Sequence, residues 1–451
     1  MRRATSILPA VALAALALLV SAVGVAVAEQ RFPPPDFDTG HLLPATKLPE
    51  AEGWAGWEYV DLAALVLGIS LASYLALVKR SRRGLLLLAV VSLAWLGFWR
   101  EGCVCPIGAI QNVALAIADP SYAVPLVVLA FFMLPLLFTL FFGRTFCAAV
   151  CPLGAIQELV ALRPVRVPKW LDHALGLLAY VYLGLAVALA ATGTAFVICR
   201  YDPFVAFFRL GGSINMLIFG ACFLLLGVFV GRPYCRFLCP YGALLGLLSK
   251  VSKWHVKIPP SQCIDCRLCE DACPYGAIQE PTVDQPPERR PRARRRLAGL
   301  LLLVPLLIGF GACLGTYLEN PLGRLDPTVR LAEHVRLATS EQTPAEDGNE
   351  DEDDEETKKR NDAVDAFYNT GRPVEELYAD ARVRSGLLRT AGGWLGAWVG
   401  LVLGVKLIHL SIRRRRTDYQ ADAANCLSCG RCFWYCPTEA NEDIETSHEE
   451  I

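Results

Sequence analysis

The chain has 451 residues, of which 54% are hydrophobic and 19% charged, with a mean hydropathy of +0.38. One soluble core cannot hide that much apolar surface, and the composition also excludes a disordered chain, a collagen-like repeat and a small disulfide scaffold. Net charge is −1, so no global basic field recruits nucleic acid; basic and acidic residues instead fall in separate blocks, as in a membrane protein.

Crossing a hydrocarbon core of about 30 Å takes roughly 20 apolar residues in a helix. Eight segments qualify: 7–28, 59–78, 84–99, 121–142, 172–193, 213–231, 297–317 and 390–411. Residues 1–28 carry Arg2 and Arg3 ahead of the apolar run and end in Ala-Val-Ala, which reads as a signal peptide or an uncleaved anchor. Residues 29–58 then form a periplasmic segment. The third span is short, and the flanking Arg83 and Arg100 are placed to snorkel outward. Basic residues mark one side of the scheme: 79–83; Arg144, Arg163, Arg166 and Lys169; Arg232, Arg236, Lys250, Lys253 and Lys257; 289–296; and 413–416. The excess of Lys and Arg makes that side cytoplasmic. The membrane domain covers 59–257, with later spans at 297–317 and 390–411. An acidic periplasmic loop fills 318–386, and its stretch 346–357 is too charged to fold alone and reads as a solvated insert.

There are 17 cysteines, an odd number, and most stand in short clusters. That spacing favours metal ligation over a disulfide framework. On the outer side, Cys103 and Cys105 form C-x-C-P and Cys199 stands apart, a weak pattern for a metal or redox site. At the cytoplasmic edge Cys147 and Cys151 form C-x3-C-P, and Cys235 and Cys239 repeat it; each pair follows a Gly-Arg dipeptide. Four such thiols suit a further cluster, a copper or zinc ion or a reversible dithiol pair, and are equally compatible with plain apolar packing. Cys222 and Cys313 lie within spans and read as packing residues.

The strongest motifs come last. Cys263, Cys266, Cys269 and Cys273 form C-x2-C-x2-C-x3-C before Pro274, within 258–285. Cys426, Cys429, Cys432 and Cys436 repeat the spacing before Pro437, within 420–440, ahead of a tail at 441–451. This is the bacterial ferredoxin run, so two 4Fe-4S clusters are expected. A zinc site would separate its C-x2-C pairs more widely. In two-cluster ferredoxins the fourth cysteine crosses to the other cluster. Both runs return to the cytoplasmic side, where they can close into one split module. Cys263, Cys266 and Cys269 then pair with Cys436, and Cys426, Cys429 and Cys432 with Cys273. Residues 147–158 match 269–280 at eight of twelve positions, so the C-x3-C-P pairs look like the second half of a ferredoxin loop. The expected fold is an all-α polytopic membrane protein with a small split two-cluster ferredoxin-like module. No C-x-x-C-H haem motif, strand-linked G-x-G-x-x-G, P-loop or nucleophile elbow occurs. His173 and His409 read as interfacial residues. The chain carries electrons but shows no place for substrate chemistry.

Spans, C-x3-C-P pairs and ferredoxin runs together resemble the membrane-bound polyferredoxins over about 59–280 and 387–440. That group includes relatives of the nitrous-oxide-reductase regulatory flavoprotein and of the quinol-dehydrogenase membrane subunit of periplasmic nitrate reductase. The resemblance implies an electron-transfer component of a membrane oxidoreductase complex. It also implies that the eight cysteines of the two runs are ligands. Such a protein relays electrons between quinol or a cytoplasmic donor and a periplasmic redox partner, with a flavin- or cytochrome-bearing subunit and the quinone pool completing the path. The rival is an accessory redox sensor or a copper maturation factor working through its cysteine pairs. Two features depart from the resemblance: the outer segment 29–58 is too short for an FMN domain, and two spans divide the ferredoxin runs.

Overall fold

The computed structural model describes residues 56–437 except 103–104, 163, 166, 210, 212–213, 259–262, 283–289, 342–354 and 413–414. The first apolar run, nearly all of the segment 29–58, Cys103, most of the acidic stretch 346–357 and the tail 441–451 lie outside the described residues.

The chain is helical almost throughout. In order it forms α1 (Trp57–Leu77), α2 (Arg82–Trp99), α3 (Pro106–Ala118), α4 (Leu126–Phe142), α5 (Thr145–Ala149), α6 (Pro152–Val160), α7 (Lys169–Leu175) and α8 (Leu178–Ala191). Then come α9 (Val197–Tyr201), α10 (Val205–Phe208), α11 (Ile214–Phe229), α12 (Pro233–Phe237), α13 (Pro240–Ser249) and α14 (Leu268–Ala272). After strand β1 (Ile278–Gln279) follow α15 (Arg290–Thr316), α16 (Glu319–Gly323), α17 (Pro327–Glu341), α18 (Glu355–Asn369), α19 (Val374–Ser411), strand β2 (Gln420–Ala421) and α20 (Arg431–Trp434).

Five helical stretches among the described residues are long and apolar enough to cross a membrane: α1, α2, α7–α8, α15 and α19. The expected spans 121–142 and 213–231 are shorter, as α4 with 17 residues and α11 with 16. Pro125 precedes the first turn of α4, and Gly143, at φ +71°, ends it in a conformation that glycine adopts without strain. α2 finishes in wider π-turns over Leu93–Trp99.

Three short helices have the same local cause. Each of α3, α6 and α13 starts with a proline that follows a cysteine: Cys105-Pro106, Cys151-Pro152 and Cys239-Pro240. Proline suits the first helical position because its missing N–H would be unpaired there anyway. These helices pack into the main core, where Ile69, Phe138, Phe142, Phe146, Tyr241 and Leu245 are fully buried.

α15 and α19 form an antiparallel hairpin held by glycine. Gly311 and Gly315 face Gly392, Gly396 and Gly400 so closely that an added Cβ would overlap the opposing backbone. Two G-x3-G registers thus let the backbones meet, the packing mode of helices that have no hydrophobic drive between them in lipid. Trp398 on α19 donates to the Tyr180 carbonyl at 2.8 Å and lies over Gly184, which docks the hairpin on α8.

The segment 318–386 differs from the expected acidic loop. Its described residues are helical, and Ala332, Val335, Val364, Phe367 and Leu377 form a small core of their own. The spacing of Ala332–Val335 and Val364–Phe367 puts each pair on one helix face. α19 begins inside this cap and runs for 38 residues, about 57 Å at 1.5 Å per residue. It therefore joins the cap to the last span without a break. Leu322 and Leu388 meet Leu189 and Val197, so the cap sits at the end of the bundle opposite the ferredoxin runs.

A glycine substitution tests the hairpin. Gly396→Ala is expected to cost about 1–3 kcal/mol, the usual penalty of overpacking, and to lower the thermal midpoint of the detergent-solubilised protein. Gly309→Ala, with open space around it, should melt like the wild type.

Candidate iron–sulfur sites

The two ferredoxin runs, distant in sequence, meet through backbone. β1 pairs antiparallel with β2, with Ile278 opposite Ala421 and Gln279 opposite Gln420. Asp422 N–H donates to Ala277 O at 2.7 Å, and Thr282 N–H to Arg416 O at 2.9 Å. Both loops wind alike. Asp265 and Ser428 stand two residues after the first cysteine of their runs, and each has φ +53°. Arg267 and Gly430 stand four after it, with φ +63° and +75°, and each caps a one-turn helix. Such left-handed residues wrap the chain tightly and form backbone concavities that bind anions.

Tyr275, Ala277, Leu427 and Cys429 form the small core between the runs, with Cys147 of the membrane part packed against it. Cys273 from the first run and Cys426, Cys429 and Cys432 from the second line one cavity. Cys436 does not line it. The sulfurs of Cys263, Cys266 and Cys269 interact on the first loop. Burial pushes the Cys426 thiol up to about 12 and the Cys269 thiol up to about 11. Such thiols ionise near neutrality only against a positive partner, and metal ions are such partners. No three His, Cys, Asp or Glu side chains among the described residues converge on a single metal ion. The thiols of Cys273, Cys426, Cys429 and Cys432 surround a volume rather than a point, which fits a polynuclear cluster better than a lone ion.

Glu158 joins this module to the bundle. Its carboxylate is buried at the C-terminal end of α6. It accepts from Arg232 Nε at 2.9 Å, Arg431 Nη2 at 2.9 Å, the Tyr275 hydroxyl at 2.6 Å and Arg82 Nη2. Arg82 comes from α2 and Arg232 from the second C-x3-C-P motif; Tyr275 and Arg431 come from the two ferredoxin runs. Burial alone would raise the carboxyl, but Arg232, Arg82, Arg431 and the tyrosine hydroxyl outweigh it and hold Glu158 far below the usual carboxylate range. Further bonds act in parallel. Arg82 Nη1 donates to Cys429 O at 2.9 Å, Arg144 Nη1 to Ala424 O at 2.9 Å, Arg236 Nη1 to Pro274 O at 3.0 Å and Ser249 Oγ to Ala423 O at 2.6 Å. The basic residues Arg82, Arg144, Arg232 and Arg236 thus all lie at the end of the bundle that bears the ferredoxin runs. Sequence reasoning missed Glu158; its signal was the final residue of Pro-x-Gly-Ala-Ile-Gln-Glu.

The C-x3-C-P cysteines come together. Cys151 is buried and interacts with the sulfurs of Cys235, Cys147 and Cys239. The two halves exchange arginines: Arg232 donates to the carbonyls of Cys147 and Ala148 beside Gly154, while Arg144 lies beside Gly242. Gln157 links them, accepting from Tyr234 N–H at 3.0 Å and donating to Cys235 Sγ at 3.3 Å. Gly242 N–H donates to Cys239 Sγ at 3.2 Å. Cys105 and Cys199 meet as a separate pair, with Cys199 Sγ over Gly108. Cys222 and Cys313 are not interior packing residues: both are exposed on the outer, lipid-compatible faces of α11 and α15. A small apolar side chain is as acceptable there as in a core.

A 4Fe-4S binding domain model matches residues 124–173 and 213–259, which hold both C-x3-C-P pairs, and a second 4Fe-4S binding domain matches 256–279, which holds the first run. Bundle and thiol sets define a multi-pass, ferredoxin-type 4Fe-4S protein. The chain belongs to this family of 4Fe-4S-binding membrane proteins. Protein NirI of Paracoccus denitrificans is 32% identical over 216 residues, 44% of this chain and 31% of NirI. Uncharacterized protein MJ0750 of Methanocaldococcus jannaschii is 30% identical over 197 residues, 42% of this chain and 80% of that protein. The methylamine utilization ferredoxin-type protein MauN of Paracoccus denitrificans is 30% identical over 161 residues, 34% of this chain and 55% of MauN. The chain thus spans about a third of NirI and about half of MauN. No solved structure matches it.

Removing Glu158 leaves three guanidinium groups facing one another. Glu158→Ala is expected to cost about 3–5 kcal/mol, as for a broken buried ion pair. It should also expose the 258–285 segment to limited proteolysis. Because the folded carboxyl is depressed, its contribution is complete above the ordinary carboxylate range and is lost as pH falls below it. Glu158→Gln should therefore flatten the acid limb of the stability–pH profile.

Proposed function

We propose that this chain relays electrons between a cytoplasmic or quinol donor and a periplasmic redox partner, through two 4Fe-4S clusters and the thiol tetrad beside them. The observation that carries this reading is the closure of two distant ferredoxin runs into one module packed against Cys147, one of the four C-x3-C-P cysteines. A 4Fe-4S cluster supplies one-electron exchange at a potential set by local charge, hydrogen bonds and burial. Cys273, Cys426, Cys429 and Cys432 hold one cluster. Cys263, Cys266, Cys269 and Cys436 hold the other. At Cys429 the Arg82 guanidinium and the Arg431 backbone N–H favour negative charge on the sulfur, against the carboxylate of Glu158. Glu158 fixes the guanidinium groups of Arg82 and Arg431 so that no reorganisation accompanies the transfer.

The tetrad is the third station, placed between the module and the bundle interior. The ferredoxin end faces the cytoplasm of an inner-membrane protein, a reading supported by the arginines gathered at that end. A flavin- or cytochrome-bearing subunit and the quinone pool complete the path, as the resemblance to membrane-bound polyferredoxins implies.

Anaerobic reconstitution tests the cluster reading. The two runs require about eight iron atoms per chain, and more than that requires cysteine ligands outside the two runs. Cys273→Ala should chiefly damage the cluster of Cys426, Cys429 and Cys432. Damage confined to the cluster of its own run would refute crossed ligation. Reporter fusions at residue 281 should read cytoplasmic and at residue 350 periplasmic; a cytoplasmic reading at 350 would overturn the orientation.

A further inference from the structure

The inner tetrad has a counterpart on the other side of the bundle interior. Cys105 opens Cys-Pro-Ile-Gly-Ala-Ile-Gln, as Cys151 opens Cys-Pro-Leu-Gly-Ala-Ile-Gln. The glutamine that ends each motif does the same work. Gln157 Oε1 accepts from Tyr234 N–H, the residue before Cys235. Gln111 Oε1 accepts from Ile198 N–H, the residue before Cys199, at 2.9 Å, and from Cys199 N–H at 3.3 Å. The partner segments also correspond. Cys199-Arg-Tyr-Asp202-Pro matches Cys235-Arg-Phe-Leu-Cys239-Pro with one residue fewer, so Asp202 stands where Cys239 does. Asp202 also acts as Cys239 does. Its Oδ1 accepts from Phe204 N–H at 2.9 Å after the proline, just as Cys239 Sγ accepts from Gly242 N–H.

Two buried donors are left over at this place. Gln157 Nε2 has a sulfur to donate to, but Gln111 Nε2 has no hydrogen-bond partner among the described residues, although Gln111 is fully buried. The Tyr234 hydroxyl is likewise buried with no hydrogen-bond partner among the described residues, and Asp202, Cys239 and Cys105 are among the groups that act on it electrostatically. Unpaired buried donors are costly in an apolar interior, and thiolate or sulfide acceptors at the Cys105 side would satisfy them. The site is open on one side, because Cys199 is exposed.

We propose that Cys105, Cys199 and Asp202 ligate a further iron–sulfur centre, the outer counterpart of Cys151, Cys235 and Cys239. This deepens the relay reading and rests on it only for the kind of centre. Thiolates give the site its affinity for iron and sulfide; the carboxylate in place of a third thiolate is a harder, weaker electron donor.

The test uses the full chain, purified anaerobically in detergent and reconstituted with ferrous iron and sulfide. Iron, sulfide and the electron paramagnetic resonance spectrum are measured for the wild type, Cys199→Ser, Asp202→Cys and, in parallel, Cys235→Ser. Cys199→Ser is expected to lose one centre's iron, sulfide and signal while the signals of the ferredoxin runs persist. Asp202→Cys is expected to keep the iron and move the midpoint potential of that one signal in the negative direction. Iron, sulfide and spectra identical to wild type in Cys199→Ser overturn the proposal. Should that variant not fold, an unmoved spectrum and potential in Asp202→Cys overturn it alone. Loss in Cys199→Ser without loss in Cys235→Ser leaves this site standing and removes the tetrad as a redox station instead.

Discussion

A single buried carboxylate holds four separated pieces of chain in register. Glu158 takes one bond from α2, one from the turn before α12, one from the first ferredoxin run and two from the second. None of these partners is stable without it, since three guanidinium groups in a dry site repel one another and carry a large desolvation cost. Nor is Glu158 stable without them. The contact is therefore all-or-none, and it couples assembly of the ferredoxin module to folding of the membrane bundle. Its sign also matters. Three positive groups against one negative leave a surplus of positive charge at this contact, and Arg232 brings it to the Cys235 sulfur.

The second organising element is a local unit used repeatedly. Cysteine, then proline, then glycine, then glutamine build a short helix. The cysteine lies at its entrance, the glycine admits a neighbour and the glutamine ties a partner segment. At Gly154 the admitted neighbour is Arg232, and at Gly108 it is the Cys199 sulfur. In the ferredoxin run the same letters at 273–279 give no helix, because Ala277, Ile278 and Gln279 are drawn out toward β2. Tertiary pairing decides there between two readings of one sequence pattern.

Much of this was legible in the sequence. The eight ferredoxin cysteines announce themselves by spacing, and the basic blocks announce which loops share one end of the bundle. Other features were not, for physical reasons. The span length at α4 is set by Pro125 and Gly143 and not by where hydropathy falls off. The helices of the 318–386 cap bury only small residues and single aromatics per turn, too weak a periodicity to stand out beside the charge of 346–357. Glycines at 311, 315, 392, 396 and 400 do spell G-x3-G, but only contact between two distant helices gives that spelling a meaning. Glu158 was visible as the last letter of a repeated motif, yet nothing in one chain's spelling tells which carboxylate will meet three arginines.

The placement of the short helices explains how thiols are tolerated at such depth. α3, α6 and α13 have 13, 9 and 10 residues, and each begins at a cysteine. A helix N-terminus presents unpaired N–H groups and the positive end of the macrodipole, which favours a thiolate over a thiol. The N–H of Gly242 on Cys239 Sγ is one such bond. Burial works in the opposite direction, as it does at every buried thiol. At Cys105, Cys151 and Cys239 burial outweighs the N–H groups, so each thiol keeps its proton unless a positive ion stands against it. Full-length spanning helices would place those dipole ends at the membrane surfaces. Half-length helices that begin at a Cys-Pro step bring them inside, next to the sulfur. The short helices are thus the feature that places helix N-termini beside buried sulfurs inside this bundle.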